Sequence, residues 1–228
     1  MNDYIIYYGI TLITLIVTAG ASLYVNISYK RFSKIRTKKS LTGRDAAQEI
    51  LDKNGLSDIY IVETKGNLTD HYDPRRKVVR LSTDVYHGES ISSVAIAAHE
   101  CGHAIQDKVG YTFMRIRSIL VPIVNISSRV GYIVIVIGIV MESLNLIWTG
   151  IILEGLILVF QLVTLPVEID ASRRALEEIK RLNLLPEEEI SGGKTVLRAA
   201  ALTYVAGVLS AALSILRLIL IYARNRDN

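Results

Sequence analysis

Of 228 residues only one, Cys101, is a cysteine, which excludes an intramolecular disulfide framework and the small secreted scaffolds that depend on one. A dominant charge of one sign is missing too. Lys and Arg number 26 against 22 Asp and Glu, a formal net charge of +4. The basic residues are concentrated beside hydrophobic segments, so no nucleic-acid partner is expected. Nor does any basic residue precede the first apolar block, Tyr4 to Val25. Although Ala19-Gly20-Ala21 imitates a cleavage site, that block is expected to be an uncleaved anchor.

What the chain does hold is apolar residues, half of the total. With so many charges remaining, the two kinds must be segregated into blocks, as in an integral membrane protein with a polar domain. A helix needs about 20 residues to cross a bilayer, and four blocks reach that length: residues 4–25, 118–141, 144–165 and 196–222. The second and third are joined only by "ESLN" and predict a transmembrane hairpin over 118–165. After the first block come Lys30, Arg31, Lys34, Arg36, Lys38, Lys39 and Arg44, whereas Asp3 alone precedes it. The positive-inside rule then places residues 30–117 in the cytoplasm. Counting spans returns 166–195 to the same side. Arg224 and Arg226 would end outside, a smaller bias in the opposite sense.

The cytoplasmic stretch reads as α+β. Thr42 and Asp45 cap a helix that runs to about Asn54 and stops at Gly55. "IYIVET" and "KVVRLS" read as a pair of short strands joined by an irregular turn, "KGNLTDHYDPRR". The second strand is expected at an edge, where an extended substrate could pair with it. Ser90 or Ser92 caps the next helix, which ends near Gly110.

That helix carries His99-Glu100-Cys101-Gly102-His103, an H-E-x-x-H pattern. Histidines four apart share a helix face and can hold one metal ion, while Glu100 on the flank can reach a water at the metal, take its proton and return it to a leaving amine. Ile91, Val94, Ala98, Cys101 and Ile105 form a core arc, with His99, His103 and Gln106 on another. Gly102 allows a second backbone to approach closely. A catalytic zinc site takes three protein ligands. A further histidine at the spacing H-x-x-G-x-x-H is absent, since Gln106 and Val109 hold those places. The third ligand is therefore expected from "LPVEIDASRRALEEIK". Glu168 lies on a face of small residues, Ala171, Ser172 and Ala175, suited to pack against the motif helix. Asp170 lies beside Arg173, Arg174 and Glu177 and is expected in ion pairs. His71 is a candidate to stabilise an oxyanion, although its "DHYDP" setting also reads as an ordinary turn. His87 is read as a loop residue.

The run "LTDHYDPRRKVVRLSTDVYHGESISSVAIAAHECGHAIQ" with "LPVEIDASRRAL" resembles the YugP-type neutral zinc metallopeptidases, a bacterial membrane family, over nearly the whole chain. The chain is more distantly similar to the HtpX-type and CAAX-prenyl proteases, gluzincins whose third ligand is a glutamate on a later helix. The resemblance implies a four-helix transmembrane bundle with a small cytoplasmic gluzincin-like α+β metallopeptidase domain. It also implies one zinc ion on His99, His103 and Glu168, with Glu100 as general acid/base and a protein or peptide as substrate. In those relatives an aspartate follows the glutamate by four residues; here Ser172 stands there. Rival readings are a zinc hydrolase of a lipid-like amide or ester and a non-enzymatic membrane scaffold. Within the hairpin, Ser118, Asn125, Arg129 and Tyr132 form a polar stripe expected to face the bundle interior, where Arg129 and Glu154 either pair or separately line a water-filled cavity.

Overall fold

The computed structural model describes residues 2–227, with side chains over 5–224. The side chains of Asp3 and Arg226, which enter the charge argument above, lie outside the described ones. Among the described residues the elements are α1 (Asn2–Phe32), α2 (Gly43–Lys53), β1 (Tyr60–Thr64), β2 (His71–Asp73), β3 (Val78–Ser82), α3 (Thr83–Tyr86), α4 (Ile91–Lys108), α5 (Thr112–Val140), α6 (Leu144–Arg181) and α7 (Glu187–Asp227). The protein is thus mostly helical with one small sheet. Helices α1, α5, α6 and α7 are long and apolar enough to cross a membrane.

The chain divides into two compact units. One comprises the chain up to Ser22, Arg115–Pro166 and from Thr203 on. Many of its outward side chains are apolar, as with Leu15, Ile126 and Val140, a surface suited to hydrocarbon. The hydroxyls of Thr11, Thr14 and Thr18 bond carbonyls one turn back on α1, which satisfies them without water. Helices α5 and α6 pack through glycines. A Cβ on Gly138 would stand 2.8 Å from the Ile147 nitrogen, and one on Gly150 would stand 2.3 Å from Ile135 Cγ1. The turn between them places Glu142 at φ 52° and returns the Ser143 N–H to the Gly138 carbonyl at 2.8 Å.

This glycine contact overturns the expected polar stripe. Gly131, in line with Gly138, faces α6, and residues 125, 129 and 132 are carried to the exposed side of α5 together with Ser118. Arg129 is exposed, whereas Glu154 Oε1 lies 3.6 Å from the Cβ position of Gly131. Among the described residues no ion pair joins Arg129 to Glu154, because Arg129 stands two residues, about 200° of helix, away from Gly131.

The other unit comprises Leu23–Met114 and Val167–Leu202. Thr42 Oγ1 accepts the Asp45 N–H at 3.1 Å to start α2, and Gly55 at φ 61° follows its end, as the capping residues predict. The sheet differs from the expected strand pair. Its order is β1-β3-β2, with β1 parallel and β2 antiparallel to β3. The strand "KVVRLS" is therefore central rather than an edge, and four of the five β3 residues are buried. The supposed turn contains β2, whose Tyr72 is buried against α4 through a bond from its hydroxyl to Asp107 at 2.9 Å. A parallel pair cannot be closed by a tight turn, and the connecting segment supplies the third strand instead. Asp70 fixes the start of β2 by accepting the Ser82 N–H at 2.7 Å.

Helix α4 is the centre of this unit. Ser90 Oγ accepts the Ser93 N–H at 3.1 Å at its start, and Gly110 at φ 65° lies just past its end. The expected core arc of Ile91, Val94, Ala98, Cys101 and Ile105 is buried. So are His103 and Gln106 on the other arc, because the segment of α6 after Pro166 covers that side. A Cβ on Gly102 would stand 2.5 Å from the Ala171 carbonyl oxygen. The close approach expected at Gly102 is thus made by the small-residue face of α6.

Candidate metal centre

Helix periodicity places His99 and His103 one turn apart on α4, with ring centroids 4.8 Å apart and planes at 83°. The small residues of α6 bring Glu168 against them. Its Oε2 lies 3.2 Å from His99 Nε2 and 3.5 Å from His103 Nε2. One ligand atom from each residue falls within 4.8 Å of the others, so the three could hold a metal ion. Two imidazole nitrogens and one carboxylate oxygen form a donor set that suits zinc. Glu168 is 1% exposed. Burial alone would raise its pKa, but His103 and His99 outweigh burial and hold the carboxyl well below the usual carboxylate range.

Glu100 is buried beside the cluster, and this burial pushes its pKa up to about 7. His99 opposes the rise, the Glu168 and Asp70 charges add to it, and the Tyr72 backbone N–H counters it. The site therefore holds a carboxyl group that can both take and give a proton near neutral pH.

A second layer fixes the two rings. Ser172 Oγ lies 3.2 Å from His99 Nδ1, so the residue four after Glu168 contacts one of the clustered histidines. Gln106 Oε1 lies 3.0 Å from His103 Nδ1. Asp170 stands outside the donor cluster and pairs with Arg173 and with Arg174, the latter at 2.6 Å. These pairs match its reading as an ion-pair residue, although it also accepts from Gln106 at 2.9 Å. Burial raises the Asp170 pKa, but Arg174, Gln106 and Arg173 outweigh it and lower the value overall.

The other two histidines lie elsewhere. His71 is exposed on β2 with Nδ1 2.8 Å from the Thr69 carbonyl, and His87 is exposed with Nε2 3.4 Å from Glu63 Oε2. Cys101 is buried in the core, its thiol 3.6 Å from the Ala47 carbonyl, and burial pushes its pKa well up. Gln106 lies three residues after His103, close to one helical turn on, and that spacing is the sequence signal for its contact with the ring.

The fold and site define a protein with membrane-length helices and a pair of histidines, one buried and one partly so, joined by a buried glutamate and backed by a second acid. This chain belongs to the family described as "Putative neutral zinc metallopeptidase", whose model matches residues 7–223. It is 42% identical over 218 residues to the "Putative membrane protease YugP" of Bacillus subtilis (strain 168), covering 96% of this chain and 97% of that one. No solved structure matches.

Proposed function

We propose that the protein is a multi-pass endopeptidase of the bacterial inner membrane, dependent on one zinc ion per chain and acting on a protein or peptide. The observation that carries this reading is the convergence of His99, His103 and Glu168 beside the buried Glu100. A site that only braced the fold would have no use for an acid poised to exchange protons next to the donor cluster. The name of the Bacillus relative agrees with this reading.

Zinc bound by the three residues would supply an acidified water and polarise the scissile carbonyl. His99 and His103 present their Nε2 atoms and Glu168 its carboxylate. Glu100 takes the proton of the attacking water and passes it to the leaving amine nitrogen, restoring its own carboxylate. Ser172 and Gln106 hold the rings while this occurs.

The layout that supports this function has transmembrane segments at 4–25, 118–165 as a hairpin, and 196–222. The site-bearing segments 30–117 and 166–195 form a gluzincin-like domain facing the cytoplasm. The basic residues from Lys30 to Arg44 support that orientation. Elemental analysis of the purified protein, coupled to turnover of a quenched casein, tests the proposal. About one zinc per chain is expected, with hydrolysis that a chelator stops. Protein without zinc, or zinc-loaded protein unable to cleave any peptide, would reject it.

A further inference from the structure

Gln106 is 0% exposed, so each polar atom of its amide must find a partner within the protein. Its Nε2 lies 2.8 Å from the Val167 carbonyl oxygen and 2.9 Å from Asp170 Oδ2. Both partners can only accept. A peptide carbonyl carries no proton, and Asp170 is held as a carboxylate by Arg173 and Arg174. Turning the amide over would set its oxygen against two other oxygens, so the NH₂ group must face α6. The opposite end is then the carbonyl oxygen, which lies 3.0 Å from His103 Nδ1 and can only accept. Nδ1 must therefore carry a proton. A neutral imidazole has one proton, so once a metal displaces any proton shared with Glu168, Nε2, the nitrogen that faces Glu168 at 3.5 Å, offers its lone pair.

We propose that Gln106 is a positioning residue for His103: anchored by Asp170 and the Val167 carbonyl, it keeps the proton on Nδ1 and so leaves Nε2 as the metal-binding nitrogen. The inference rests on the metal reading of the site. The two ligand rings differ in this respect. The outer nitrogen of His99 meets the Ser172 hydroxyl at 3.2 Å, and a hydroxyl can donate or accept, so Ser172 does not dictate the tautomer. The chain Arg173 and Arg174, Asp170, Gln106, His103 is committed at every link. It joins α6, which carries Glu168, to α4, which carries both histidines.

The ordinary alternative is that Gln106 merely fills the space between α4 and α6. Two substitutions separate these roles. Gln106→Met keeps the bulk but offers no acceptor to Nδ1. Gln106→Glu keeps that acceptor but loses both donors and sets a carboxylate against Asp170. The full-length chain is measured by chelator competition for zinc and, separately, by thermal unfolding. Gln106→Met should weaken zinc binding by about 10- to 100-fold, as loss of a partner behind a ligand histidine does. Gln106→Glu should bind zinc more tightly than Gln106→Met although it unfolds at the lower temperature. A filler role gives the opposite order of affinity, and that order, or wild-type affinity in Gln106→Met, would overturn the proposal. Nitrogen-15 NMR of the histidine-labelled, metal-stripped Glu168→Ala chain, in which no carboxylate competes for a proton on Nε2, reads the neutral ring without either variant. The proton is expected on His103 Nδ1, and a proton on Nε2 overturns the proposal. Nδ1 protonated in that chain, together with a wild-type chain that binds no zinc, would reject the metal reading while supporting the ring assignment.

Discussion

At the scale of single residues, the centre combines groups with opposite proton affinities a few ångströms apart. Glu168, against two imidazoles, stays ionised and suits a metal, whereas Glu100, buried, is pushed up to about 7 and suits proton exchange. Glu100→Gln should therefore retain its zinc and lose hydrolysis by a factor on the order of 10² to 10⁴, the usual contribution of a general acid/base. Zinc content and casein turnover of the same preparation check this, and turnover near the wild-type rate would show that Glu100 is not the proton carrier. Glu168→Ala should lose most of its zinc and Asp170→Ala much less, since Glu168 touches both histidines while Asp170 acts only through Gln106. The opposite order of metal content would reassign the third ligand. The choice between these two acids was legible in the sequence because the faces of α6 differ, one small and one charged. The roles of Gln106 and Ser172 were not, because each depends on a partner from another helix that only the close α4–α6 approach supplies.

Between elements, that approach is set by Gly102. Its hydrogen lies where any Cβ would meet a backbone oxygen, Ala171 O, at 2.5 Å. Backbone cannot rotate away as a flexible side chain can, so a larger residue must separate the helices. Gly102→Ala is expected to destabilise the protein by about 1–3 kcal/mol, as overpacking does, although alanine is intrinsically the better helix former by about 1 kcal/mol. Gly155→Ala, where nothing lies within 4 Å of the added carbon, should not lower the unfolding temperature. Separation of α4 from α6 also draws His99 and His103 from Glu168, so zinc affinity should fall in Gly102→Ala alone. Equal unfolding temperatures and zinc affinities in the two variants would dispose of the idea. The helix boundaries here were readable from capping residues such as Thr42, Ser90 and Gly55. Strand order was not. The three-residue β2 is too short to show an alternating pattern, and "IYIVET" and "KVVRLS" look the same whether they pair in parallel or antiparallel.

At the scale of the whole molecule, charge patterning predicts one orientation. Seven basic residues follow the first apolar block between Lys30 and Arg44, against Arg224 and Arg226 after the last. The short link between the second and third blocks was legible as a hairpin, and the structure makes it a tight turn at Glu142. What the polar stripe of α5 would face was misread. Periodicity places Asn125, Arg129 and Tyr132 on one side, but the packing side is chosen by Gly131 and Gly138, which leave no side chain for a periodic pattern to register. The orientation itself can be checked in cells. Lys38 and Lys180 are exposed, so cysteines there are reachable once the reagent crosses the membrane. Cys101→Ser removes the native thiol and leaves a hydroxyl able to donate to the same Ala47 carbonyl. In that background, Lys38→Cys and Lys180→Cys should resist an impermeant thiol reagent on intact cells and react after lysis. Glu142→Cys, in the turn that the same orientation sends outside, should react in both. If Lys38→Cys or Lys180→Cys reacts in intact cells while Glu142→Cys does not, the basic segment lies outside, and the His99–His103–Glu168 cluster faces away from the cytoplasm.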